Sequence, residues 1–299
     1  MKKYWLLGVL VISMSACNTL ATPGATPTPA FIFPTLVIST SGTVESLPAE
    51  QAGADNQPVS AIVARMASGP FYLLGGTREG AWFSPEMVIS TLADETYQVF
   101  TIDGSTDSTS GAEPVFEEFC RSYRIDMDSN PSGGPAIGTT GNWDVIPRLG
   151  QDLPTDNSTY IDELTGWLTG KGFQNPVVNI SQILRVDLEG DGVDEVLISA
   201  SHFAETTYHS VEPGDYSLVL MRKVVGDSVE TVPILADYYY QEVATQFPLV
   251  YTGVFTADLN GDGTLEVLVE AERWEGSGLI AFEIDETTVQ QVSEVLCGL

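Results

Sequence analysis

The stretch that decides the fold is residues 258–267, which read DLNGDGTLEV. An earlier stretch, residues 187–196, reads DLEGDGVDEV and repeats the same pattern. In both stretches, side chains that carry oxygen stand at positions 1, 3, 5 and 9, and a glycine at position 6 permits a sharp turn. A tightly curled loop with this spacing brings alternate residues towards a common centre. The sequence therefore predicts two equivalent loops lined with oxygen atoms.

The donor types in these loops favour calcium. Neither loop contains His or Cys, so a hard cation with oxygen ligands fits better than zinc. An EF-hand loop requires a bidentate Glu at position 12 followed by a helix, but position 12 is Ile198 in the first loop and Val269 in the second. The flanking residues alternate as strands do, so each loop is predicted to join two strands. An acidic turn without an ion remains the alternative.

At these residues the sequence resembles the calcium loops of FG-GAP and VCBS-type repeats. The resemblance implies a side-chain ligand set in each loop, and the backbone carbonyls of Val193 and Thr264, at position 7, are expected to point inward as well. The first implied set is Asp187, Glu189, Asp191 and Glu195, and the second is Asp258, Asn260, Asp262 and Glu266. Glu189 departs from the usual Asp or Asn at position 3. Only two copies are visible where a propeller of this family needs at least four blades, so a complete propeller is not predicted and a partial, propeller-like arrangement stays open.

The rest of the chain predicts an α+β fold that is mainly antiparallel β. Short β-branched or alternating segments follow one another from residue 177 to the end, and consecutive strands of this kind usually pair as hairpins. The clearest of the one or two predicted helices is residues 158–169, with a capping box at Thr159 and Asp162. Further upstream, Gly75-Gly76 is predicted to form the turn between a strand over residues 71–74 and its partner over residues 81–83.

The N-terminus predicts export and a lipid anchor. Two lysines precede a short apolar run and a small-residue stretch, so residues 1–16 are predicted to be a bacterial signal peptide. The sequence Met14-Ser15-Ala16-Cys17 resembles the bacterial lipobox, which implies that Cys17 is lipidated and holds the chain on a membrane, with its domain on the extracytoplasmic side. An ordinary secretory signal is the alternative. Residues 17–57 are predicted to form a disordered tether rich in Pro, Thr and Ser, and residues 58–299 a β-rich domain.

Charge and cysteine content limit the partners and the function. The formal net charge of −29 makes nucleic acid a poor partner, whereas cations, or an unknown protein or glycan, remain candidates. If Cys17 is lipidated, Cys120 and Cys297 are left as a possible disulfide pair, with two independent thiols as the alternative. No linear catalytic motif is present, and the loops are expected to be structural. We expect a non-enzymatic binding or cell-envelope protein; the alternative is an extracytoplasmic hydrolase whose active site leaves no linear motif.

Overall fold

The computed structural model describes residues 58–66, 69–129, 134–204 and 210–298. The predicted signal peptide, Cys17 and the tether lie outside the described residues. Strands account for 52% of the structure and helices for 9%, which confirms a mainly antiparallel β fold. No helix in the described ranges is both long enough and apolar enough to cross a membrane.

The first part of the chain forms an eight-stranded antiparallel sheet, the N-terminal sheet. Its strands are β1 Ser60–Arg65, β2 Phe71–Arg78, β3 Ala81–Phe83, β4 Thr96–Thr101, β5 Thr106–Ser110, β6 Val115–Glu117, β7 Ser122–Ile125 and β8 Ala136–Thr139. Their order is β5-β4-β8-β1-β2-β7-β6, and β3 pairs with β2. Helix α1, Pro85–Val88, follows β3 and continues as a 3-10 turn over Ile89–Thr91.

The second part forms two larger sheets and one small one. Its elements are β9 Gln151–Asp152, α2 Ser158–Gly170, β10 Ile180–Val186, β11 Glu195–His202, β12 Ser210–Val211, β13 Tyr216–Val225, β14 Ser228–Tyr238, β15 Val243–Ala244, β16 Val250–Ala257, β17 Glu266–Arg273, β18 Gly276–Asp285 and β19 Thr288–Cys297. The five-stranded sheet has the order β14-β13-β11-β10-β9, and the four-stranded middle sheet has the order β16-β17-β18-β19. Strands β12 and β15 form a separate pair.

The middle sheet is buried on both faces. Because side chains alternate along a strand, Leu268 packs into a core cluster with residues of the N-terminal sheet, whereas Val267 and Val269 pack against the five-stranded sheet. The outer face of the N-terminal sheet is covered by the segment that contains α1, and the outer face of the five-stranded sheet by α2. The three sheets therefore stack face to face. No sheet in the described part of the chain closes on itself, and a propeller-like arrangement is not confirmed.

Two local predictions are wrong. Strand β2 runs through Gly75 and Gly76 up to Arg78, and the turn to β3 lies instead at Glu79 and Gly80, whose φ angles are 53° and 78°. Two adjacent glycines permit a turn but do not require one, and here a strand of the sheet continues through them.

The predicted capping box of α2 is wrong as well. The N-cap is Asn157, whose side-chain oxygen accepts a hydrogen bond of 3.0 Å from the backbone N–H of Thr159. The helix therefore begins at Ser158, and Thr159 lies inside its first turn.

Candidate metal centre

Both acidic loops are hairpin connections, as the flanking strand pattern predicts. The first loop, residues 187–195, joins β10 to β11, and Val186 pairs with Glu195 across its base. The second loop, residues 258–266, joins β16 to β17, with Ala257 paired to Glu266. The position-9 glutamate of each loop is therefore the first residue of the returning strand.

The aspartate at position 1 organises the turn in each loop. Its two carboxylate oxygens accept hydrogen bonds from backbone N–H groups at positions 4 and 6: Asp187 from Gly190 at 2.6 Å and Gly192 at 2.9 Å, and Asp258 from Gly261 at 2.7 Å and Gly263 at 3.1 Å. The position-6 glycines have φ angles of 88° and 92°, which side chains rarely adopt. The two loops therefore curl in the same way.

The glutamate at position 9 accepts a hydrogen bond from the backbone N–H at position 2 of its own loop. Glu195 Oε2 accepts a hydrogen bond of 3.0 Å from the N–H of Leu188, and Glu266 Oε2 accepts one of 2.6 Å from the N–H of Leu259. These side chains are only 2% and 1% exposed. Burial raises the pKa of both carboxyl groups, that of Glu266 to about 9, because an ionised carboxylate loses its hydration there.

Position 1 differs between the loops in its electrostatics. Burial raises the pKa of Asp258, which is 5% exposed. Burial acts in the same direction on the less buried Asp187, but hydrogen bonds from the N–H groups of Gly192, Gly190 and Asp191 lower its pKa below the usual value.

A lysine side chain from β13 lies beside the first loop. The Lys223 ammonium forms an ion pair with Glu189 and lies 3.9 Å from Glu195 Oε1. Lys223 is 7% exposed, so this charge is held inside the fold. Two of the carboxylates that the resemblance implies as ligands are thus partly neutralised by an amine.

The second loop has no such partner among the residues that the structure describes: neither Lys nor Arg forms an ion pair with its carboxylates there. Instead the Asn260 amide donates hydrogen bonds to Asp262 Oδ2 at 3.0 Å and to Glu283 Oε1, on β18, at 3.1 Å. Asn260 is 5% exposed. A neutral amide therefore stands between carboxylates that a cation would otherwise neutralise.

The backbone N–H at position 7 donates a hydrogen bond to the aspartate at position 5 in each loop. The Val193 N–H donates to Asp191 Oδ1 at 2.8 Å, and the Thr264 N–H donates to Asp262 Oδ1 at 2.7 Å. The aspartates at position 5 are themselves exposed. In the structure their carboxylates accept from the backbone of their own loop, and Asp262 also accepts from the Asn260 amide.

The donor set suits a hard cation, but the side chains are arranged for backbone hydrogen bonds. Within the described ranges, no group of three or more His, Cys, Asp or Glu side chains converges so that it could hold a metal ion. All donors in the loops are carboxylate, amide or carbonyl oxygens, which is the set that calcium takes in proteins. The acids at positions 1 and 9 of the second loop are buried, and no Lys or Arg in the described ranges forms an ion pair with them.

The two loops touch each other, and a third segment holds both of them. The Leu265 N–H of the second loop donates to the Leu188 carbonyl of the first at 2.8 Å. From the connection between β8 and β9, the Trp143 indole N–H donates to the Asp258 carbonyl at 2.8 Å, and the Asp258 N–H donates to the Val145 carbonyl at 2.8 Å. Sequence reasoning missed this bridging segment, because residues 143–148 carry no motif.

Cys120 and Cys297 are joined by a disulfide. The bond ties the turn between β6 and β7 to the end of β19, across 177 residues of sequence. It therefore links the N-terminal sheet covalently to the middle sheet.

Two cavities of about 350 Å³ lie away from the sheet interiors. One is lined by Phe173, Asn175, His202 and Tyr240, and its described lining includes no carboxylate. The other borders the second loop, between Asp262 and the β2–β3 turn. Neither arrangement by itself defines a reaction.

Comparison of the chain with protein-family models, with curated proteins and with solved structures gives no match. The chain can therefore be classified only by its architecture. It is a mainly antiparallel β protein whose neighbouring hairpins carry two acidic loops of the same design.

Proposed function

We propose that this chain is a membrane-anchored extracytoplasmic lipoprotein whose domain is stabilised by calcium in the two acidic loops. In this proposal it serves as a non-enzymatic binding or cell-envelope protein. The lipobox-like sequence at Cys17 supports the anchor, and the loop design supports the ion. The resemblance to FG-GAP and VCBS-type loops belongs to the same proposal.

The burial of the second loop carries the proposal. Glu266, Asp258 and Asn260 are each at most 5% exposed. A buried carboxylate without a cationic partner destabilises the folded state, and it either takes up a proton or gains a counterion. Calcium supplies two positive charges to such a site and takes six to eight oxygen ligands at about 2.3 to 2.6 Å.

The residues that hold the ions follow from the loop positions. In the second loop they are Asp258, Asn260, Asp262, Glu266 and the Thr264 carbonyl, and in the first Asp187, Glu189, Asp191, Glu195 and the Val193 carbonyl. Binding requires their side chains to exchange some backbone hydrogen bonds for the ion, since they do not converge on one point in the structure. The first loop must also displace Lys223 from Glu189. We therefore expect the second loop to bind calcium more tightly than the first.

Calorimetry of the purified protein in chelator and in calcium tests the ion. A ligand that binds only the folded state at 100 times its Kd stabilises it by about 2.7 kcal/mol, which corresponds to an increase of roughly 5 to 10 °C in Tm for a domain of this size. Asp262→Asn should reduce the increase. The matched control is Asp227→Asn, which removes the same charge from the exposed turn between β13 and β14. An unchanged Tm at millimolar calcium rejects the ion.

Membrane fractionation tests the anchor separately. Cys17→Ala should move the protein from the detergent phase to the aqueous phase and should abolish incorporation of labelled fatty acid, because only that thiol is available for lipidation in the lipobox. Asn18→Ala, beside it, is the control and should leave both unchanged. Retention of the label in the Cys17 variant contradicts the proposal.

A further inference from the structure

Arg148 contacts both acidic loops at once. It is a half-buried residue in the connection between β8 and β9. Its Nε donates to the Asp187 carbonyl at 2.7 Å, and its Nη2 donates to the Leu188 carbonyl at 3.0 Å and to the Gly263 carbonyl at 2.7 Å. One planar guanidinium therefore bridges the backbones of the two loops.

The peptide groups that Arg148 contacts also hold predicted ligands. The peptide bond between Asp187 and Leu188 accepts from Arg148 through its carbonyl, and its N–H donates to Glu195 Oε2 at 3.0 Å. The peptide bond between Gly263 and Thr264 likewise accepts from Arg148 through its carbonyl, and its N–H donates to Asp262 Oδ1 at 2.7 Å. Movement of either carboxylate towards an ion therefore shifts a peptide group that is bonded to Arg148 on its other side.

A direct hydrogen bond between the loops strengthens this link. The Leu188 carbonyl accepts from Arg148 and also from the N–H of Leu265, at 2.8 Å. Leu265 is the residue before Glu266 and is 1% exposed. A rearrangement at the position-9 glutamate of the second loop thus reaches the backbone of the first loop through one residue.

We infer that Arg148 is a positioning residue that couples the two loops, so that calcium in one loop raises the calcium affinity of the other. The inference rests on the calcium binding proposed above. Arg148 orders the same peptide groups for both ions, so the first ion to bind meets most of the ordering cost and the second ion meets less. Occupation of one coupled site commonly changes the affinity of the other about 5- to 150-fold, and we expect about tenfold here, because the link consists of a few hydrogen bonds.

A binding cycle measures the coupling with calcium chloride as the only ligand. Asp262→Asn leaves the first loop to bind alone, and Asp191→Asn leaves the second. Both substitutions keep the side-chain oxygen that accepts from the backbone at position 7. In the wild type, the product of the two association constants from titration calorimetry should exceed the product of the two single-loop constants about tenfold. A merely structural role of Arg148 would lower each constant without changing this ratio.

The cycle is then repeated in three arginine variants. Arg148→Ala should lower the ratio to about threefold or less, and the direct hydrogen bond from the Leu265 N–H to the Leu188 carbonyl accounts for the coupling that remains. Arg148→Lys keeps the charge but has no planar fork, and it should also lower the ratio. The matched control is Arg185→Ala. Arg185 forms an ion pair with Asp194 of the first loop at 3.2 Å and donates to Gln151 Oε1 on β9 at 2.6 Å, and no described hydrogen bond or ion pair joins it to the second loop, so the tenfold ratio should persist.

Hydrogen exchange gives a second readout. In the Asp262→Asn protein, calcium in the first loop should slow exchange of the Leu265 amide, which is bonded to the Leu188 carbonyl, and Arg148→Ala should weaken that effect. If Arg148→Ala does not fold, Arg148→Lys carries both measurements. A tenfold ratio retained without the guanidinium, or lost equally in Arg185→Ala, overturns the inference and leaves calcium binding intact. Absence of any calcium binding by the wild type overturns the proposed function and this inference together.

Discussion

Replacing Glu266 by glutamine should stabilise the calcium-free protein and weaken its response to calcium. The side chain is 1% exposed, and its Oε2 accepts a hydrogen bond of 2.6 Å from the Leu259 N–H. Glutamine has nearly the same shape and keeps an oxygen that can accept this bond. The substitution therefore removes the charge and leaves most of the contacts.

The magnitude follows from the raised pKa of Glu266. Burial raises this pKa from its ordinary value of 4.5 to about 9. Between these two pH values the folded chain binds a proton that the unfolded chain releases, so the free energy of unfolding falls as the pH rises. From pH 4.5 to pH 7 the loss amounts to roughly 3 kcal/mol. Glutamine does not ionise, so the variant avoids this loss; after about 1 to 2 kcal/mol for imperfect pairing of its amide, a net gain of roughly 1 to 2 kcal/mol remains at pH 7.

Calcium should reverse the order of stability. The ion requires an ionised Glu266, so its binding releases a proton at pH 7, and the affinity should increase about tenfold per pH unit up to about pH 9. Urea unfolding at pH 5, 7 and 8.5, in chelator and in calcium, measures both effects. Asp227→Asn, in an exposed turn, should change neither. A Glu266→Gln protein that is less stable than the wild type in chelator at pH 7, yet equally stabilised by calcium, would refute the reasoning.

Three further substitutions have defined effects. Lys223→Met should lower the stability of the calcium-free protein by roughly 1 to 3 kcal/mol, because it leaves the partly exposed Glu189 and the buried Glu195 without the ammonium, and calcium should restore part of the loss in calorimetry. Asn157→Ala should cost about 1 kcal/mol in urea unfolding through loss of the α2 N-cap, with no change in calcium affinity. Conversion of both Cys120 and Cys297 to serine should cost roughly 2 to 5 kcal/mol, because the bond closes a 177-residue loop of the unfolded chain; an unchanged urea midpoint under non-reducing conditions would contradict this.

The sequence predicted the local design of the loops because that design depends on neighbouring residues. Aspartate at position 1 and glycine at position 6 suffice to curl the chain, and the apolar alternation before Asp187 and after Glu266 indicates strands on either side. The helix over Ser158–Gly170 was predictable for the same reason, since its apolar stripe has the period of a helix.

The rest depends on contacts between distant residues. Arg148 and Trp143 belong to no motif, and only the stacking of the sheets brings their side chains to the loop carbonyls. Lys223 lies on β13, 34 residues after Glu189, with which it pairs. The capping residue of α2 was missed because Asn157 and Thr159 are both residue types that cap helices well and lie only two positions apart.

The position of the middle sheet has a consequence for the order of folding during synthesis. Strands β16–β19 follow the strands of both other large sheets in the chain, yet they cover the inner faces of both. Until these strands are in place, the apolar inner faces of the two earlier sheets lack their native packing partner. A folding intermediate that contains only the two earlier sheets therefore exposes apolar surface, which makes it prone to aggregate.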